Sequence, residues 1–256
     1  MSDFTCSRSR FIRIVPLDGD AAVAGEAARR ALDAARDSSR SSHSLAVALS
    51  GGRIAPRFYA EWVARAARDG LAAVPIDFFW ADERCVPPDH PDANFAVANA
   101  SLLLPLGTPA ERVHRLAGEI EPVAAARRAT QDWIDWQARR PASRAALDLV
   151  ILGVGEDGHV ASLFPENLST DLAATDPFRA VTGSKPPPQR LTMGYPLLWE
   201  ARQVLVLATG TGKEPIVRGS LDATLDTPLA RVLRGREERG NETTILAGFP
   251  LGRAQM

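Results

Sequence analysis

Short apolar runs alternate along this chain with stretches in which apolar residues recur every three or four positions, the signatures of strand and helix. Residues Arg10 to Pro16, "RFIRIVP", alternate as a strand does, and Asp20 to Arg36 carries an alanine-rich helical pattern that ends in a Ser-rich joint, "DSSRSSHS". "LAVALS" is a second strand; it closes on Gly51 and Gly52, after which Phe58, Tyr59, Trp62, Val63 and Ala66 return at helical spacing. "IDFFWADER" reads as a strand with a polar end, followed by a Pro-rich loop, "CVPPDHPDANF", and a helix around Ala96 to Leu103. Glu121 to Arg140 forms an amphipathic helix bearing Trp133 and Trp136. It leads into "LDLVILG", a continuous apolar run of the kind buried on both faces of a parallel sheet. "RQVLVLATGTGKEPIVRGSL" repeats strand, glycine turn and helix.

This rhythm predicts an α/β fold: a doubly wound, mainly parallel sheet with helices on both faces, in a single domain over residues 1–256. Composition fits a folded globular protein, with 45% hydrophobic and 24% charged residues. The net charge of -1, with both signs mixed along the chain, offers no basic face for a phosphate backbone, so nucleic acid is not expected as a partner. No stretch approaches the ~18 apolar residues of a spanning helix, and the start lacks a signal-peptide core, so a cytoplasmic protein without membrane attachment is expected. Cys6 and Cys85 sit in no redox or metal spacing, and neither receives a role.

Gly153, Gly155 and Gly158 have the spacing of a dinucleotide fingerprint, with a strand before and a helical stretch expected after. That fingerprint also needs a second strand about twenty residues on. "PENLSTDLAATDPFRAVTGSKPPPQR" follows instead, polar and Pro-rich, so a dinucleotide is not expected. No G-x-S-x-G elbow occurs, and the four His lie outside any H-E-x-x-H or Cys/His cluster, so no metal site is expected.

Open parallel sheets collect ligands beyond the carboxyl ends of their strands, where helix N-termini also point. Four turns belong to that edge: Ser50 to Gly52, Ala81 to Arg84, Gly155 to His159 and Gly210 to Lys213. Ser50, Gly51 and Gly52 combine a hydroxyl with backbone that an anion can approach closely; a plain tight turn is the competing explanation. Arg84 offers a planar guanidinium and Lys213 a compact charge, both suited to phosphate. Asp157 and His159 place a carboxylate beside an imidazole that can take a proton from water, although Asp157 could equally cap a following helix. His43, His90 and His114 are expected at the surface.

The combination "LSGG", "FFWADERCVP", "NF", "LDLVILGVGEDGHVASLFP", "KPPPQRLTM" and "TGTGK" resembles the 6-phosphogluconolactonase family from about Ser44 to Lys213. That family is in turn similar to the glucosamine-6-phosphate deaminases, whose Asp-Gly-His turn precedes a segment with a catalytic Glu where this chain has "VASLFP". The resemblance implies hydrolysis of 6-phosphoglucono-lactone in the pentose phosphate pathway, with no cofactor and a sugar phosphate as the partner molecule; a monomer is expected, with weak oligomerisation as the alternative. It implies that His159 activates water, that Asp157 helps orient or polarise the site, and that Arg84 and Lys213 hold the phosphate lined by Ser50, Gly51 and Gly52, with Arg190 facing the substrate. A sugar-phosphate isomerase or deaminase, or a non-enzymatic sugar-phosphate sensor, are the alternatives on such a scaffold. "TTILAGFPLGRAQM" departs from the family's usual acidic ending, which puts the last strand in question.

Overall fold

The apolar runs line up side by side in a computed structural model that describes residues 4–5, 9–40, 43–167, 171 and 173–251. The strands are β1 (Phe4–Thr5), β2 (Ile12–Pro16), β3 (Leu45–Leu49), β4 (Ile76–Trp80), β5 (Asp82–Arg84), β6 (Val113–His114), β7 (Leu149–Gly153), β8 (Phe178–Thr182), β9 (Gln189–Met193), β10 (Gln203–Ala208) and β11 (Thr243–Ala247). Eight of them form one sheet in the order β1-β2-β11-β10-β7-β3-β4-β6, parallel throughout except at β1. β3, β4 and β11 are buried at every residue, which is why they do not alternate apolar with polar positions: β3 is wholly apolar, and β4 and β11 are apolar but for Asp77, Thr243 and Thr244 near their amino ends.

From β3 the chain builds outward through β4 to β6, then returns to the other side of β3 with β7 and continues through β10 and β11 toward β2. The winding therefore reverses between β3 and β7. At such a switch point the loops leaving two neighbouring strands part in opposite directions and open a crevice beyond the carboxyl ends.

Helices α1 (Gly19–Arg40), α2 (Ala55–Arg68), α3 (Asn94–Ala98) and α4 (Pro122–Ala138) cover the sheet's apolar residues. α2 buries Phe58, Tyr59, Trp62 and Ala66 of the stripe its spacing predicted, and Val63 packs half-buried beside them. α1 runs on to Arg40, into the Ser-rich stretch read as a joint, because Ser38 is buried there and its hydroxyl bonds the His43 carbonyl at 2.6 Å. No helix of the described residues is long and apolar enough to cross a membrane.

Several expectations are corrected. "IDFFWADER" is two strands, split where Ala81 donates its N–H to Leu49 of β3 (2.8 Å) and accepts from Met193 of β9 (2.7 Å). β5 leaves the large sheet and joins β9 and β8 in an antiparallel sheet of its own. The polar stretch after Phe164 thus contains two strands, but they form a hairpin on this second sheet and supply no parallel neighbour to β7. No helix opens directly after His159; Val160 and Leu163 bridge instead, with Ala161 at φ 50°, and a 3-10 turn follows at Pro165–Asn167. His114 is not at the surface: its ring stacks on Phe79 at 4.4 Å and its Nδ1 meets Asp132 at 2.8 Å. The last strand, placed in question by the atypical ending, lies inside the sheet between β2 and β10. Cys6 falls outside the described residues.

Candidate active site

Local contacts shape the turns leaving β3, β5 and β7. After β3, the Ser50 carbonyl accepts the Tyr59 hydroxyl (3.0 Å) from α2, so the turn is tied to the helix it opens. Gly51 has no room for a side chain, since a Cβ there would overlap the Asn94 carboxamide. After β7, the Asp157 carboxylate accepts the backbone N–H of His159 (3.2 Å) and lies 2.5 Å from its Nδ1. Gly155 donates to the His159 carbonyl (2.9 Å), and a Cβ on Gly155 would collide with both the imidazole and the Asp157 carboxylate. The Asp-Gly-His glycine spacing serves this side-chain pair. With no helix after it, Asp157 is not a helix cap.

β5 ends in a polar cluster. Asp82 accepts the Ser162 hydroxyl (2.8 Å) and the Asn94 amide (3.2 Å), and both residues are buried. Arg84 donates Nη1 to the Asp92 carbonyl (2.7 Å). Across from it on β9, Arg190 uses Nε on the Pro187 carbonyl (2.8 Å) and Nη2 on those of Lys185 and Pro186 (3.3 Å each), which holds the Pro-rich hairpin loop against the site. That loop brings Lys185 to 3.5 Å from Asp157.

The turns meet around one cavity of about 420 Å³. Ser50, Gly51, Gly52, Arg84, His159, Arg190 and Lys213 all line it, so seven of the residues singled out in the sequence converge, and Asp157 stands behind His159. Arg53, Asp82, Asn94, Glu156 and Lys185 line it as well, and sequence reasoning had given them no role. Arg53 directly follows the Ser50–Gly52 turn, Asp82 and Asn94 lie in the quoted "ADER" and "NF", and Lys185 opens "KPPPQRLTM". Position beside a chosen motif was the only available signal.

The charges in the cavity are incompletely matched. Among the described residues, no carboxylate lies within ion-pair distance of Arg53, Arg84, Arg190 or Lys213; the pairs at the site are Asp157 with His159 and with Lys185. Burial, and then the neighbouring Arg53, lower the Lys213 ammonium below its ordinary range. Burial and then Arg84 do the same to Arg190. Burial alone would raise Asp157, but the adjacent His159, its hydrogen bonds and Lys185 outweigh it and hold the carboxyl below its usual value. Ser50 Oγ and Arg84 Nε are buried without a hydrogen-bond partner. Like charges crowded together beside orphaned donors are the inverse image of an anion. Cys85 nearby is not part of this: burial and then Glu83 push its thiol up to about 11, which leaves it inert. No three His, Cys, Asp or Glu side chains among the described residues are grouped as metal ligands would be.

A family model described as glucosamine-6-phosphate isomerases/6-phosphogluconolactonase matches residues 18–244. The chain belongs to this family. Within the family it is 33% identical to a 6-phosphogluconolactonase of Streptomyces coelicolor, over 84% of this chain and 85% of that protein. It is 34% identical to the human 6-phosphogluconolactonase, over 74% of this chain and 73% of the relative. The solved structure of 6-phosphogluconolactonase from Trypanosoma brucei superposes with a TM-score of 0.74 at 27% identity, covering 91% of this chain and 95% of that one. The family's mostly parallel sheet is thus the architecture expected from the β-α rhythm.

Proposed function

We infer that the chain hydrolyses 6-phospho-D-glucono-1,5-lactone to 6-phospho-D-gluconate, with the four turns as its active site. The observation that carries this reading is the coincidence, in one cavity, of an oriented imidazole with cations that have no carboxylate of their own. Asp157 on Nδ1 sets the neutral ring with its hydrogen there and leaves Nε2 as the basic nitrogen. Nε2 takes a proton from water as the water oxygen bonds to the lactone carbonyl carbon; the resulting oxyanion collapses, the bond to the ring oxygen breaks, and the imidazolium returns the proton to that oxygen. The phosphate is held by Lys213, Arg84 and the Ser50–Gly52 turn, with Arg190 on the same wall, and its binding energy positions the ring against His159. No step calls for an added cofactor.

The test is an assay of the purified protein on the phosphorylated lactone, with and without chelator, beside glucosamine 6-phosphate. Accelerated lactone hydrolysis that persists in chelator is expected. Release of ammonia from the amino sugar, without lactone hydrolysis, would replace this reading with the deaminase one.

A further inference from the structure

Glu83 is buried, has no cation as an ion-pair partner among the described residues, and takes no part in the proton transfers above. Its carboxylate is nevertheless fully engaged by backbone: Oε1 accepts the N–H groups of Arg84 and Asn94 (2.7 Å each), and Oε2 accepts that of Phe95 (2.7 Å). Asn94 and Phe95 open α3, whose first N–H groups have no partner within the helix. Ala93, which precedes them, has no side chain able to cap them, so the cap comes from another strand.

We propose that Glu83 is a positioning residue for the anion site: its carboxylate fixes at once the strand end that carries Arg84 and the helix start that carries Asn94, and Asn94 seats Gly51. The second half of this relay is steric and polar together. The Asn94 amide donates to the Asp82 carbonyl (2.9 Å) and carboxylate (3.2 Å), and its oxygen side lies where a Cβ of Gly51 would be. One side chain therefore ties the guanidinium on β5 to the turn after β3, two parts of the cradle that belong to different sheets. Because backbone dipoles rather than the adjacent guanidinium satisfy the Glu83 charge, Arg84 remains available to a ligand. Aspartate at this place would fall one methylene short of α3, and glutamine would turn an N–H toward the N–H of Phe95.

This inference rests on the phosphate role proposed for Arg84, and its test separates the two. Binding of 6-phosphogluconate and of inorganic phosphate is measured by calorimetry for the wild type, Glu83→Gln, Arg84→Ala and the double variant. Glu83→Gln is expected to weaken 6-phosphogluconate about 10-fold and to do so far less in the Arg84→Ala background, since residues acting through one another are non-additive. Turnover of the unphosphorylated gluconolactone by Glu83→Gln should stay within about 3-fold of wild type, a selectivity that general loosening of the fold would not produce. Equal losses on both lactones, or additive losses in the double variant, overturn the proposal. If Glu83→Gln is not recovered folded, Glu83→Asp, which keeps the charge, must show the same selective loss, and its failure to do so overturns the proposal equally. A wild type that binds neither anion would instead refute the phosphate site itself.

Discussion

Asp77 and Glu83 are six residues apart on one run of chain, both buried and both acidic, yet they stand at opposite ends of the sheet and are satisfied in opposite ways. Asp77, at the amino end of β4, is closed in by side chains: Ser44 Oγ (2.7 Å), Trp136 Nε1 (3.1 Å), Arg112 (2.9 Å) and Arg140 (2.7 Å). Glu83, beyond the carboxyl end, is met among the described residues by backbone N–H groups alone. At the closed end both guanidiniums beside Asp77 share its carboxylate. At the open end Arg84, Arg190, Arg53 and Lys213 have no carboxylate within ion-pair distance among the described residues. A fold can hold unmatched cations together only at a cost in stability, and one that concentrates them at its switch point is shaped for an anion from outside.

The comparison breaks most decisively at His159. If the open end does chemistry, His159→Asn should lower lactone turnover by about 10² to 10⁴, the usual contribution of a general base, with thermal unfolding nearly unchanged. Near-normal turnover would remove the imidazole from the reaction. The closed end should behave in reverse. Asp77→Ala leaves the half-buried Arg140 without its carboxylate and should destabilise the fold by roughly 3 kcal/mol in denaturant titrations. Its KM for the lactone should stay near the wild-type value, and a large rise in KM with little loss of stability would erase the distinction between the ends.

A smaller effect sharpens the open end itself. Lys213→Ala and Arg84→Ala each delete a charge-assisted hydrogen bond worth about 1.5–3 kcal/mol, so each should weaken the phosphorylated substrate by about 10-fold to 100-fold. The unphosphorylated lactone, which offers these cations no anion, should be nearly indifferent to either change. Equal losses on both substrates would take that residue out of phosphate binding.

What could be read from the sequence is what local pattern controls. β3, β4, β7 and β10 are predominantly apolar runs followed closely by polar or glycine residues, and their turns are visible as soon as the strands are. The convergence of Ser50, Arg84, His159 and Lys213 then follows from topology, because all four leave the carboxyl edge of parallel strands or its immediate continuation. The hairpin of β8 and β9 was hidden: its strands are short, set among Pro and Ser, and paired with β5 about a hundred residues away. α3 begins at Asn94 rather than near Ala96 for a related reason, since its cap is Glu83 on another element. The same non-local contact makes Asn94 a cavity residue. Nothing adjacent to His114 in sequence announces the Phe79 ring on which it stacks, so its burial is invisible in the local pattern.

The subtlest consequence of the two ends is their opposite response to pH. Asp77 is held below its ordinary 3.8: burial would raise it, but Ser44, Trp136, Arg140 and Arg112 together outweigh that penalty. Its contribution to stability is therefore present above about 3.8 and is lost as pH falls through the lower value of the folded protein. Glu83 goes the other way. Burial pushes it up from 4.5 to about 7, aided by the Asp82 charge and opposed by the N–H groups of Arg84, Asn94 and Phe95. A group raised on folding favours the folded state below its unfolded value and loses that contribution as pH rises through the folded one, so the window for Glu83 runs from about 4.5 to about 7. Melting temperatures of the wild type, Asp77→Asn and Glu83→Gln, followed across both windows, should separate the two. Relative to wild type, Glu83→Gln should remove a decline in stability between those values, whereas Asp77→Asn should remove a rise confined to pH below about 4. If the wild-type and Glu83→Gln curves run parallel from 4.5 to 7, Glu83 keeps its charge throughout, and the backbone N–H groups alone outweigh its burial.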